Sequence, residues 1–265
     1  SVSGVQGDVV DSSGNNLNGM TVNSPFKVSG QICTGNKFSR NTYSNVTIPH
    51  DPLLSQLNEL TITTWINPVT IPSSDLYTIA SKDTNYEFHL DTAGKVFWWW
   101  GNGSFTGASS VPVNSWTHIT LTYKSGEQKI YINGVEDASA TYTGTLPQNT
   151  LPFYIGVDYN YASRTFDGTI DEVKIFDRSL SASEISKIYT NEVSGNNFNG
   201  AERTCPDCVI IPDPAVTFDA WDTFRSISDR NISTKIVSKP FDLNISSLNE
   251  TNDGYTTNIL YSTFS

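Results

Sequence analysis

Apolar and polar residues alternate along most of the first 190 positions, and the alternation predicts strands. Leu60-Thr61-Ile62-Thr63-Thr64-Trp65-Ile66-Asn67-Pro68 reads as a half-buried strand stopped by Pro68. Trp116-Thr117-His118-Ile119-Thr120-Leu121-Thr122-Tyr123 reads the same way, and Gln128 to Ile132 pairs with it across Lys124-Ser125-Gly126-Glu127. Asn133-Gly134 is the strongest hairpin signal in the chain, because both residues tolerate the left-handed backbone of a type I′ turn. Tyr77 to Ser81, Tyr86 to Leu90, Lys95 to Trp100 and Leu151 to Val157 continue the series, with Asp91-Thr92-Ala93-Gly94 as a turn. Earlier candidates are Met20 to Val22, Phe26 to Val28, Gly35 to Phe38 and Ser44 to Ile48, after an Asp11-to-Gly19 turn region.

The series closes on Phe166-Asp167-Gly168-Thr169-Ile170-Asp171-Glu172-Val173-Lys174-Ile175-Phe176. Its apolar positions 170, 173, 175 and 176 keep a two-residue period with one irregular step. We expect this last strand to lie beside the first strand of the chain. Ser181 followed by Glu184 is a capping box, and it opens a helix through Ile188 and Tyr189. Short, regularly spaced strands with one late helix define an all-β, antiparallel two-sheet jelly-roll sandwich.

After Asn191 the composition shifts. The expected organisation is a sandwich domain over 1–192, a Pro-, Gly- and Cys-containing linker over 193–214, and the start of a second β-rich, immunoglobulin-like module over 215–265. The chain opens at Ser1 with no charged and apolar leader, as a mature form or an excised fragment would.

Charge narrows the partners. Sixteen Lys and Arg against 27 Asp and Glu give a net charge of −11, which argues against a nucleic-acid partner. No apolar run is long enough to predict a membrane span. The abundance of Ser, Thr, Asn and Gly suits an extracellular protein. Cys33, Cys205 and Cys208 are the three cysteines. Cys205-Pro206-Asp207-Cys208 lacks the βαβ context of a redox motif and the second pair of a zinc site, so a structural disulfide is expected. It joins either Cys205 to Cys208 or Cys33 to one of them, and the odd count leaves one thiol free or paired outside the chain.

Four landmarks together resemble the laminin-G-like, concanavalin-A-like lectin/glucanase family. They are Asp11-Ser12-Ser13-Gly14, Leu60 to Ile66, Trp116-Thr117-His118-Ile119 through Tyr131-Ile132-Asn133-Gly134, and Phe166 to Val173. The resemblance covers about residues 1–190 and implies the concanavalin-A-like jelly roll. It also implies a Ca²⁺ site between first and last strands, with Asp11 and Asp171 as the carboxylates and Asn15 and Asn16 adding oxygens. The same acidic residues equally suit a turn cap and a solvated or lysine-paired carboxylate. Trp65 and Trp116 match core positions of the family. A second resemblance runs from Phe218 to Lys235, which is similar to the region after such a domain in component Q of mannose-sensitive haemagglutinin-type pilus biogenesis. It implies a large protein of the bacterial cell surface.

For ligand recognition the aromatic run Trp98-Trp99-Trp100 stands out. Trp98 and Trp100 share one strand face and Trp99 takes the other. Trp98 and Trp100, with Asn102 and Asn85 nearby, are candidates for stacking on and hydrogen bonding to a sugar, although such rings also fill sandwich cores. Tyr159 and Tyr161, interleaved with Asp158 and Asn160, form a second candidate site at a loop rim. Catalysis is not expected: a retaining glycosidase needs two carboxylates about 5 Å apart, and no E-x-D-x-x-E strand motif occurs. Glu87 stands alone in sequence, and His50 and His89 lack the spacing of zinc ligands. The expected function is therefore a non-catalytic, extracellular, adhesin-like module binding a glycan or other cell-surface ligand. The alternative is a structural subunit that self-associates through β-strand pairing and disulfides in a pilus or filament.

Overall fold

The computed structural model describes residues 9–55 and 58–200. Cys205, Cys208, the 215–265 module and the segment similar to the pilus protein lie outside the described residues. Among the described residues, fourteen strands and one α-helix follow one another in chain order, with two short 3₁₀ turns besides. They are β1 (Met20–Val22), β2 (Phe26–Ser29), β3 (Thr34–Phe38), β4 (Asn45–Ile48), β5 (Glu59–Pro68), β6 (Tyr77–Ser81) and β7 (Glu87–Leu90). Then come β8 (Lys95–Trp100), β9 (Gly103–Ser110), β10 (Thr117–Lys124), β11 (Glu127–Ile132), β12 (Val135–Ala140), β13 (Phe153–Ile155), β14 (Gly168–Phe176) and the helix α1 (Ala182–Val193).

They form two antiparallel sheets of seven strands, in the orders β1-β4-β13-β6-β7-β8-β9 and β12-β11-β10-β5-β14-β3-β2. This is the jelly-roll sandwich that the strand spacing predicts. Ile62, Ile66, Ile119, Leu121 and Ile130 of the second sheet face Ile79, Phe88, Leu90, Val96 and Trp98 of the first in one buried core. Local signals hold where turn chemistry dictates them. Asn133 and Gly134 both have positive φ, at 50° and 78°, and join β11 to β12 by a two-residue turn. Ser181 accepts from the Glu184 backbone N–H while the Glu184 side chain caps the Ser181 N–H in return.

The last strand departs from expectation in its neighbours. β14 lies between β5 and β3, while β1 pairs with β4 in the other sheet. The irregular step in its pattern is a β-bulge. Asp171 pairs with Trp65 and Lys174 with Thr63, so two residues of β14 oppose Thr64 alone, and Glu172 takes a φ of 54°. The bulge suspends strict alternation at Asp171 and Glu172. Gly168 opens the strand at φ 149°, where a side chain would collide with the backbone of Asn67 and Pro68.

Strand β9 is absent from the sequence expectation, since Phe105 is its single large apolar residue among Gly, Ser, Thr and Ala. It completes the edge beside β8, and Asp137 of β12 accepts hydrogen bonds from the Ala108 and Ser109 N–H groups there.

Both tryptophans expected at a ligand are core residues. Trp98 is 0% and Trp100 3% exposed, with rings 4.4 Å apart, and they pack edge-on against Tyr123 and Tyr142 respectively. The reason is the pleat: Val96, Trp98 and Trp100 share one face of β8, and that face looks into the sandwich. Truncating Trp98 to Ala should therefore lower unfolding stability by about 3–5 kcal/mol. Trp99→Ala should change it by less than about 1 kcal/mol. Urea unfolding of the two variants checks the assignment, and equal losses would contradict it.

Candidate functional site

The outer faces of the two sheets are used differently. On the second sheet the outward residues of β5 and β10 lie under α1. Trp65, expected in the core, points this way because it alternates with Thr64 and Ile66. Its indole stacks on Tyr189 at 5.7 Å and its N–H donates to Glu192 Oε2 at 2.7 Å. His118 beside it is buried, with Nε2 2.7 Å from the Thr63 hydroxyl. Lys174 bridges Glu192 and Glu172, at 2.7 Å to each. Helix, sheet and bulge are thus fastened by one polar network, and this face is closed.

Asp171 is buried at the rim of the same sheet. Its Oδ2 accepts from the Ile32 N–H at 3.0 Å and its Oδ1 from the Glu172 N–H at 2.8 Å. Burial raises its carboxyl to about 7. Asp11 caps its own turn, accepting from the Ser13 N–H, the Ser13 hydroxyl and the Leu17 N–H. The two residues expected to hold calcium thus each serve as acceptors for a turn. Among the described residues they belong to no cluster of three or more metal-ligating side chains. Cys33, one of the disulfide candidates, lies in the turn between β2 and β3 with φ 57°.

The first sheet carries the candidate site. Opposite Trp98 on the pleat, Phe97 and Trp99 turn outward and are partly exposed. Strand register sets their neighbours: Glu87 pairs with Trp99 and His89 with Phe97 on one side, and Ser104 and Thr106 pair with them on the other. The result is a strip running from buried polar groups, through a pair of aromatic rings, to exposed hydroxyls.

The polar groups form two bonded sets that meet where Glu87, His89 and Asp158 bring atoms within 4.8 Å of one another. His89 Nε2 lies 3.0 Å from Glu87 Oε2, and its Nδ1 lies 3.0 Å from the Thr78 hydroxyl. Asp158 arrives from the loop after β13, its Oδ1 accepting from Ser81 and its Oδ2 from Arg164 at 2.8 Å. Arg164 Nε also sits 3.0 Å from both oxygens of Asp75, and its guanidinium lies 4.3 Å above the ring of Tyr161. Burial pushes the Glu87 carboxyl up to about 7, helped by Asp83, and pulls the His89 imidazole down to about 4. The contact between them therefore joins a carboxyl that burial makes easier to protonate to an imidazole that burial keeps neutral.

Two of the sequence candidates fall beside this network. Tyr161 is 52% exposed, and Tyr159 is partly buried with its ring 6.0 Å from Tyr154. Asn102 is exposed at the β8–β9 turn, its amide reaching the Thr145 carbonyl at 3.5 Å. Asn85 is buried and donates to the Pro147 carbonyl. Glu87, His89, Asp158 and Arg164 escaped the sequence reading as a group because Asp158 and Arg164 come from a distant loop. The alternation that put Glu87 and His89 on one strand face was the only signal.

A concanavalin-A-like sandwich with one helix-covered face and one partly exposed aromatic face is the class of protein this geometry defines. Residues 40–186 match the Laminin_G_3 family, described as the concanavalin A-like lectin/glucanases superfamily, and the chain belongs to that family. Among solved structures it is similar to domain 4 of a GH43 extracellular arabinanase from Geobacillus stearothermophilus, solved in complex with arabinotriose. That likeness has 23% identity and TM-score 0.56, covering 68% of this chain and 91% of that one. It is also similar to the binding domain of Paraclostridial Mosquitocidal Protein 1, at 21% identity and TM-score 0.58, over 71% of this chain and 50% of that one. In sequence it is 32% identical over 85 residues to human adhesion G-protein coupled receptor D1. That stretch is 31% of this chain, and the chain spans only 10% of the receptor. The solved structures establish the fold. No described helix is long and apolar enough to cross a membrane.

The closed face yields a pH prediction. Burial, with Lys174 nearby, lowers the His118 imidazole to about 3. In the unfolded chain the ring titrates near its ordinary 6.5, so between these values the unfolded state binds more protons. The stability this ring contributes is complete above about pH 6.5 and is lost as pH falls toward 3. Ring ¹⁵N shifts should show a neutral His118 at pH 5, and His118→Gln should lose less stability than wild type between pH 6.5 and 4.5. An imidazolium at pH 5 would contradict the burial argument.

Proposed function

We propose that this chain is a non-catalytic, lectin-like binding module that takes a glycan on the outer face of its first sheet. The observation that carries this reading is the outward pair Phe97 and Trp99, flanked by the Ser104 and Thr106 hydroxyls. Sugar rings present apolar C–H faces and a rim of hydroxyls, and an aromatic row edged by hydroxyls and a fixed guanidinium complements both. Tyr161 and Arg164 add a second, polar side to the same surface, so the Tyr159–Tyr161 loop expected at a rim belongs to the site. Trp99 replaces Trp98 and Trp100 as the stacking residue.

A hydrolase is not favoured. Glu87 and Asp158 approach within glycosidase distance, but His89 holds one and Arg164 holds the other, and both are buried beside the rings. The arabinotriose complex of the arabinanase domain supports a carbohydrate ligand for this fold. An extracellular setting on a bacterial surface, as an adhesin, is the context in which we place the module. The calcium implied by the family resemblance forms no step of this reading.

A glycan array that includes arabinan oligosaccharides, followed by calorimetric titration of any hit, tests the proposal. Trp99→Ala and Tyr161→Ala should each weaken binding about tenfold or more, which corresponds to about 1.4 kcal/mol. Ser12→Ala, at the opposite turn region, should leave it unchanged. Absence of any glycan binding at millimolar concentration, or full affinity in Trp99→Ala, would sink it.

A further inference from the structure

The network beneath the aromatic row has the make-up of a metal site. One atom each from Glu87, His89 and Asp158 lie within 4.8 Å of one another, and all three residues are buried. An imidazole nitrogen and two carboxylate oxygens are donors that zinc(II) accepts, whereas calcium takes oxygen ligands and avoids imidazole. The 3.0 Å separation of His89 Nε2 and Glu87 Oε2 is close to the edge of a tetrahedron with bonds near 2 Å.

Two features outside the three side chains point the same way. The first is the support for the imidazole. Thr78 holds His89 Nδ1 at 3.0 Å, and an Nδ1–H donated to that hydroxyl leaves the Nε2 lone pair aimed at Glu87 and Asp158. Ligating histidines need their other nitrogen anchored in this way. The second is the anchoring of Asp158. Arg164 donates to its Oδ2 at 2.8 Å and the Ser81 hydroxyl to its Oδ1 at 3.2 Å, so the carboxylate is held in place beside Glu87 and His89.

We propose that Glu87, His89 and Asp158 form a zinc(II) site, with Thr78 and Arg164 orienting the ligands. The Glu87–His89 hydrogen bond is then replaced by bonds from both residues to the ion. Asp158 keeps Arg164 on its other side. The site does not depend on the glycan reading, because zinc alone is the probe.

The experiment uses the full chain, stripped with EDTA and with its thiols alkylated, titrated with ZnCl₂ in a calorimeter at pH 7.5. One equivalent should bind and the melting midpoint should rise, and CaCl₂ should produce neither effect. His89→Gln and Asp158→Asn should each weaken binding more than tenfold, and Thr78→Val by about 10- to 100-fold. In the wild-type protein, zinc should shift the His89 Nε2 resonance and leave those of His50 and His118 in place, a readout that needs no variant to fold. No binding at millimolar zinc, undiminished binding in both ligand variants, or a shift at His50 or His118 in place of His89 would overturn the site. In each of those cases the cluster is a hydrogen-bonded core network only.

Discussion

The pleat of strand β8 governs what this molecule can offer a partner. Successive side chains on a strand leave on opposite sides, so six consecutive residues, Lys95 to Trp100, divide strictly into three that fill the sandwich and three that do not. Val96, Trp98 and Trp100 supply the inner set, and the two indoles pack against one another and edge-on against Tyr123 and Tyr142. Once these rings are committed to the core, Phe97 and Trp99 have nowhere to go but the outer surface. A register slip by one residue would exchange the two sets, burying Lys95 and exposing the largest rings of the core. The hydrophobic cost of that exchange locks the register, and with it the position of every outward residue on β7 and β9.

The second sheet meets the same constraint and answers it with a helix. Trp65, His118 and Tyr189 are large, partly polar rings that the alternation of β5 and β10 throws outward, and α1 covers them. Covering polar groups requires that each find a partner. The bulge in β14 helps here: by adding a residue opposite Thr64 it brings Glu172 and Lys174 together, and Lys174 reaches the helix through Glu192. The capping box at Ser181 and Glu184 fixes where the helix starts, hence which of its residues, Ile185, Ile188 and Glu192, face the sheet. One face of the sandwich is consumed by its own chain, and the other is left with rings at the surface.

Much of this was legible in the sequence, for reasons that are local. Asn133-Gly134, Ser181 with Glu184, and the alternation of Leu60 to Ile66 each encode their structure within a few residues. The landmarks that resemble the family carry the sandwich itself. What alternation cannot encode is which of two faces is the inner one, because a strand with aromatic residues on both sides satisfies the period either way. For that reason Trp98 and Trp100 read as candidates for a ligand as readily as for the core, while Trp65 reads as core. Strand β9 was invisible because small polar residues pair as well as large ones when the neighbouring strand supplies the apolar surface. The company of Glu87 was beyond local reading, since Asp158 and Arg164 reach it only through the pairing of β13 with β6 and the turn that follows.

A buried carboxylate beside partly exposed rings has to be offset by its neighbours. An isolated Glu87 at this depth would carry a desolvation penalty with nothing to offset it. The Thr84 N–H, the His89 imidazole and the charge of Arg164 offset part of it, and Asp158 ties its loop to the sheet through Ser81. Arg164 is the hinge of the arrangement: one nitrogen holds Asp158 inside, another holds Asp75 at the surface, and the planar group lies against Tyr161. The exposed ring of Tyr161 therefore rests on a guanidinium that Asp158 and Asp75 hold in place. Surface aromatic groups on a loop would ordinarily sample many positions and lose freedom on meeting a ligand. Here the hold of Asp158 and Asp75 on the guanidinium restricts the Tyr161 ring in advance.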